Sequence, residues 1–221
     1  PETKIEEVQV CPVPREHLEN INLPQYVNQE GYNVPWSRLS LEAWNLESPA
    51  VEYLMQKIQE NGIPLRESLG LEPIYGIKTG LNAAFLTSNE VKEEIVKKSP
   101  KSKDVFHPYL RGQDIKRWHP DWENLWILLL KSSNDFTWPW SHEVENPEEI
   151  FKTVYPAVFE YLKKFETRLK SRTDQGKYWW ELRTCAYYDI FLNPKLVIQR
   201  IAFHSRIAFD DNDLFLNDAA I

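Results

Sequence analysis

The hydrophobic period of this 221-residue chain changes near residue 73. Before that point the sustained pattern is helical: Val51, Leu54, Met55 and Ile58 recur at the three- and four-residue spacing that lines one face of a helix. Ser48 offers a capping oxygen, Pro49 suits the first turn, and Asn61-Gly62 ends the segment. A short helical turn is expected over 65–69. After residue 73 the apolar runs shorten to strand length. Ile74, Tyr75 and Ile77 before Gly80, and Ala84, Phe85 and Leu86 after it, predict two strands joined by a glycine turn. Further strands are expected over 114–118 and 125–130, and in the tail over 196–201, 206–209 and 214–216. Thr87 with Glu90 predicts a capping box opening a helix that ends at Ser99-Pro100. Asn146-Pro147 starts another helix, and Pro156 starts a basic amphipathic one running to about Ser171. Two periods in one chain predict a mixed α/β (α+β) fold, a mixed sheet with flanking helices behind an N-terminal helical arm. Residues 1–35, rich in Pro, Asn and Glu and without a period, read as a linker or extended arm.

The net charge of −7 argues against a nucleic-acid partner until its distribution is considered. Residues 1–72 carry −7, 73–150 carry −2, 151–209 carry +6 and 210–221 carry −4. A polyanion responds to the local field, and the third of these segments is decidedly basic. Cys11 and Cys185 are too few for a disulfide framework or a zinc site, and His17, His107, His119, His142 and His204 show no ligand spacing. No apolar run approaches a membrane span. The chain starts without Met and stops at Ile221 in mid-pattern, so a part of a longer protein is expected.

Recognisable catalytic patterns are missing. There is no G-x-G-x-x-G after a strand, no Walker-type loop, no G-x-S-x-G elbow and no Cys-His nucleophile signature. An amino-methyltransferase needs a small acidic or amide residue, two prolines and an aromatic to hold an extruded base; Asn193-Pro194-Lys195 lacks the second proline and the aromatic. The chain alone is therefore expected not to be an enzyme.

Three segments, in order, are Gly76–Phe85 (GIKTGLNAAF), Leu110–Trp118 (LRGQDIKRW), and Trp179–Arg183 (WWELR) followed by Phe191–Val197 (FLNPKLV). Together they resemble the TaqI-like C-terminal specificity domain of adenine-specific DNA methyltransferases and type IIG restriction-modification enzymes. The resemblance covers residues 48–221, with 1–47 as a connector and the C-terminal end of the domain truncated. It implies that the chain reads double-stranded DNA for a methyltransferase core in the same parent polypeptide. It further implies a cytoplasmic bacterial protein, S-adenosylmethionine bound by the parent but no cofactor in this chain, and a parent that methylates adenine and can also carry endonuclease activity.

Each motif has a plainer reading. Residues 76–82 suit a simple hairpin with Gly80 at positive φ; with the resemblance, Lys78, Thr79 and Asn82 become donors on a loop tip. Arg111 and Asp114 can brace each other as well as one of them can meet DNA, and Lys116 and Arg117 are the better phosphate candidates. Trp118 and Trp122 read as core or edge packing. Between Lys163 and Arg183, Arg172, Lys177 and Arg183 are candidates for phosphate, while Trp179 and Trp180 suit either base stacking or a core. Arg200, His204 and Arg206 flank a turn between strands, where arginine can read guanine or simply face solvent. The DNA reading expects the cations and indoles between Lys163 and Arg206 to converge on one positive groove. The competing readings are a protein-interaction module of a phage-defence complex, using the acidic arm, and a small-molecule enzyme with an unfamiliar site.

Overall fold

The computed structural model describes residues 6–17, 21–39, 44–70, 73–142, 145–202 and 204–217. The chain divides into two compact units, Pro1–Glu72 and Pro73–Ile221. The first holds β1 (Glu7–Val10), α1 (Leu23–Glu30), β2 (Tyr32–Pro35), α2 (Pro49–Asn61) and α3 (Leu65–Leu69). The described part of residues 1–35 is thus more than a linker. β1 and β2 pair antiparallel around the buried Val34, with Glu7 opposite Pro35. α1 starts where the Asn22 side chain accepts the Gln25 N–H at 3.3 Å, ahead of Pro24. These elements are too short for a local period to reveal them. α2 begins and ends where the sequence places it: Ser48 Oγ accepts the Val51 N–H at 3.4 Å, and Gly62 follows the last turn.

The second unit contains α4 (Asn82–Phe85), β3 (Leu86–Thr87), α5 (Asn89–Lys98), β4 (Phe106–Leu110), β5 (Trp126–Leu128), α6 (Pro147–Val154), α7 (Pro156–Lys163), α8 (Glu166–Lys170), β6 (Lys195–Ile198), β7 (Ile207–Asp210) and β8 (Phe215–Leu216). The fold is mixed α/β. Its main sheet has the order β3-β5-β4-β8, antiparallel except for β4 with β8; β6 and β7 form a separate antiparallel ribbon. Ile127, Leu128, Tyr109, Leu110, Phe215 and Leu216 carry the sheet into a core completed by Phe85, Phe151, Val158, Leu162 and Phe191. α5 is fastened to β5 by Trp126, whose indole N–H donates to Asn89 Oδ1 at 3.1 Å and whose ring receives Lys92 Nζ at 3.9 Å.

Four local expectations change. The hairpin over 74–86 does not form, because residues 82–85 coil into α4 and only Leu86–Thr87 pairs as a strand. Residues 114–118 make isolated bridges, Ile115 with Pro120 and Trp118 with Ala208, instead of a strand. The helix from Pro156 breaks between Lys163 and Glu166 and continues as α8. α5 takes Ser88 as its N-cap residue in place of Thr87, and Ser88 hydrogen-bonds the Glu90 carboxylate, holding its pKa below the ordinary value.

Gly76 belongs to a close backbone crossing. Ile77 N–H donates to Leu216 O at 2.7 Å, and a Cβ on Gly76 would overlap the carbonyl of Asn217. Both obstacles are backbone, so no rotamer change relieves them. Gly76→Ala is expected to lower stability by about 2–3 kcal/mol, measured as a reduced urea midpoint at unchanged m-value. An unchanged midpoint would show that the two segments separate easily.

Candidate nucleic-acid interface

The first and third motif segments meet at Arg172, and they meet in the interior. Arg172 is 8% exposed. Its Nε donates to Leu169 O at 3.2 Å, Nη1 to Thr79 O at 2.7 Å, and Nη2 to Trp179 O at 2.8 Å and Glu181 O at 2.9 Å. The guanidinium also lies 4.8 Å from the Phe85 ring centroid. Burial pushes its pKa down to about 10, partly offset by Asp174, so it stays charged at neutral pH. Four backbone carbonyls from three segments converge on one fork. The expectation that Arg172 meets a phosphate is corrected: its donors are spent on the fold. Thr79 is buried too, with its hydroxyl donating to Asn82 Oδ1 at 2.6 Å. Lys78 and Asn82 remain exposed.

Gly80 does adopt a positive φ, 67°, as the sequence suggests. A Cβ there would press on the Asp174 carbonyl at 2.7 Å. Beside it lies an open recess of about 360 Å³ lined by Gly80, Leu81, Arg168, Ser171, Thr173 and Asp174. Exposed Arg168 favours an anion in this recess and Asp174 opposes one.

The three consecutive aromatics pack inward. Trp180 is 2% exposed, stacked between Tyr178 at 4.8 Å and Phe151 at 5.1 Å, and Trp179 donates its indole N–H to Glu148 Oε2 at 3.2 Å. Beneath them Glu181 is fully buried. Its carboxylate accepts from Ser133 N at 3.0 Å, Ser133 Oγ, Trp140 Nε1 at 2.9 Å and Tyr178 N at 3.2 Å. Trp179 and Trp180 are therefore core residues, and base stacking by either is corrected: both indoles are more than nine-tenths buried, and Trp180 is enclosed by a ring on each face.

Many cations between Lys163 and Arg206 are neutralised. Lys163 pairs with Glu148 at 2.9 Å and Glu166 at 3.0 Å, and these hydrogen bonds raise its pKa. Lys170 pairs with Glu166 at 2.7 Å, Arg183 lies 3.9 Å from Asp174, and Lys195 pairs with the buried Asp210. Exposed Lys177 gives Nζ to Ser141 O at 3.0 Å. The single positive groove expected from this run does not form, because carboxylates within the run, Glu166 and Asp174, and outside it, Glu148 and Asp210, interleave with its cations. Arg111 likewise braces its own turn, through a fork to Asp114 at 2.8 and 2.9 Å and a bond to Glu123.

A different cluster does form. Residues 200–202 and 204–207, the arm joining β6 to β7, are all exposed, and they carry Arg200, His204 and Arg206. The Gln199 N–H donates to Arg206 O at 3.0 Å, holding the two sides of the ribbon together past the last strand pair. Arg200 lies over Tyr75, 5.0 Å from its ring centroid. The second motif reaches the same ribbon: Trp118 N–H donates to Ile207 O at 2.8 Å. That bond places the exposed Arg117 beside β7, its guanidinium 5.3 Å from the Trp118 ring centroid. Lys116, half-buried, gives Nζ to Gln113 O at 2.9 Å. Trp118 is exposed rather than packed, contrary to the sequence expectation, because a positive φ turns it out of the bridge to Ala208. The adjacency of 116–118 to 199–207 has no local signal, since it joins residues about ninety positions apart.

The chain resembles restriction–modification proteins. It is 27% identical over 127 residues to the Type II methyltransferase M.MjaIV of Methanocaldococcus jannaschii, a stretch covering 57% of this chain and 37% of that protein. A solved structure of the Type IIL restriction-modification enzyme MmeI in complex with DNA aligns with a TM-score of 0.45 and 20% identity, over 66% of this chain and 18% of that one. The chain thus spans well under half the length of either. No family model matches it. Among the described residues no helix is long and apolar enough to cross a membrane.

Proposed function

We propose that this chain contacts and reads double-stranded DNA for an adenine-specific methyltransferase, or for a fused type II restriction-modification protein. In this reading S-adenosylmethionine and the catalytic residues belong to another part of the parent polypeptide, and the reading rests on the TaqI-like resemblance of the three motifs together with the similarity to a type II methyltransferase. The observation that carries it here is the convergence of Arg117, Arg200, His204 and Arg206 on one exposed two-stranded ribbon. A ribbon of this width fits the major groove, where arginine reads guanine and neighbouring cations meet phosphate. Lys78, Asn82, Lys116, Lys177 and Arg183 stay as further contacts, each of which already makes an interaction within the fold.

The test is duplex binding by fluorescence anisotropy across a salt series. Each arginine that neutralises a phosphate contributes about 0.9 to the slope of log affinity against log salt. Arg117→Ala with Arg200→Ala and Arg206→Ala should therefore flatten the slope by one to about three units, with the smaller change expected where an arginine contacts a base instead. Binding that is absent at low salt, or unchanged in the triple variant, sinks the proposal. The exposed apolar stripe of α2, formed by Leu54, Met55 and Ile58, favours a second reading as a protein-interaction module. Salt-insensitive binding to a protein partner without any duplex binding would support that instead.

A further inference from the structure

Trp118 combines two costs that the fold does not recover. Its φ is 80°, in a region that short polar side chains tolerate and bulky ones rarely enter. The other non-glycine residues at positive φ among those described, Asn124 and Asp213, are of the tolerant kind. The indole is also 72% exposed, whereas the other six tryptophans of the 73–221 unit, all described, are buried or half-buried. Burial therefore does not compensate the backbone strain.

The strained conformation is nevertheless held firmly. Trp118 N–H is tied to Ile207 O at 2.8 Å, Lys116 N–H to His119 O at 3.1 Å, and Asp121 N–H to Asp114 O at 2.8 Å. The bridge of Ile115 to Pro120 closes the turn. Strain maintained by surrounding hydrogen bonds and directed at solvent is characteristic of a residue that meets a ligand. The ligand's chemistry follows from the neighbours. Arg117 lies over the ring, Arg206 adjoins Ile207, and of the acids near the turn Asp114 and Glu123 are engaged by Arg111 and Asp210 by Lys195, while Asp121 is exposed. A flat π-surface beside arginines that pair with no carboxylate among the described residues suits a flat ring on an anionic scaffold better than an aliphatic protein side chain, which needs no cations.

We infer that Trp118 stacks on a nucleobase of the bound duplex, at a step opened beside the β6–β7 ribbon, with Arg117 meeting the adjacent phosphate. This rests on the DNA reading above and adds to it a residue and a mode of contact. The experiment uses the full chain and duplexes carrying 2-aminopurine at successive positions, with anisotropy and 2-aminopurine emission read together. Wild type should raise the emission at one step. Trp118→Ala should abolish that rise and weaken binding about tenfold or more, with the salt slope unchanged, and Trp118→Phe should restore part of both. Trp118→Gly, which relieves the positive φ, should leave the melting temperature no lower than wild type while losing the emission change.

Unchanged affinity and emission in Trp118→Ala would overturn the inference while leaving the DNA reading intact. A flattened salt slope with no emission change would overturn it in favour of an indole that only braces Arg117. A lowered melting temperature in Trp118→Gly would mark the indole as a packing residue and overturn it too. Failure of the wild-type chain to bind any duplex at low salt would remove both proposals together.

Discussion

Replacing Arg172 by alanine is expected to lower the stability of the 73–221 unit by about 4 kcal/mol. The substitution strips donors from the carbonyls of Thr79, Leu169, Trp179 and Glu181, in a place where water does not readily reach them. A buried acceptor left unmatched costs about 1–3 kcal/mol, and the packing against Phe85 is lost as well. Domains of this size have stabilities of about 5–15 kcal/mol, so the variant should sit near its unfolding threshold. Arg172→Lys keeps the charge but replaces a planar five-donor fork by a three-donor ammonium, and should recover less than half of the loss. Urea unfolding followed by tryptophan fluorescence reads both. A deficit under about 1 kcal/mol in the alanine variant would mean that the carbonyls find other partners and that the fork is not what joins residue 79 to residues 169–181.

Glu181→Ala is expected to cost about 3–4 kcal/mol, by a complementary route. Here a buried acceptor disappears from beneath four donors: two on Ser133, one on Trp140 and one on Tyr178. Glu181→Gln preserves the shape but turns an NH2 toward groups that themselves donate, so about half of the loss should remain. The indole that Glu181 holds belongs to Trp140, which is stacked on Trp138 at 4.9 Å. The near-ultraviolet circular dichroism of that aromatic cluster should therefore weaken in step with the stability. An unchanged spectrum in a destabilised variant would separate Glu181 from the ordering of the indoles. Arg172 donates to the Glu181 carbonyl, so the two sites share a partner. The double variant should lose measurably less than the two single losses added together.

These two residues also mark what could be read locally and what could not. α2, α5 and the starts of α6 and α7 lie within a residue of where capping groups, prolines and period place them, because those signals act within one or two turns of chain. β6, β7 and β8 were likewise legible from short apolar runs between polar turns. β4 was not. Pro108 and His107 interrupt its apolar pattern, and it becomes a strand because β5 and β8 pair on its two sides. The segment 74–86 reads as a hairpin because Gly80 suits a turn between its two short apolar runs. Gly80 does turn the chain, but Gly76 is small for the sake of a backbone 141 positions further on.

Among the candidate contacts, Arg200, His204 and Arg206 lie on an exposed connection between paired strands, as their flanking runs imply. Arg172, Trp179 and Trp180 do not face solvent, although they share the composition of a basic aromatic surface.

Period, capping chemistry and turn residues determined that this chain is a mixed α/β structure, with its helices and most of its tail strands in sequence-local positions. Tertiary structure alone decided which cations and indoles face water. A side chain's exposure depends on what other segments bring against it. The Thr79 carbonyl that helps bury Arg172, the Glu148 carboxylate that helps neutralise Lys163, and the β7 carbonyl bonded to the Trp118 N–H all arrive from positions that no local pattern connects.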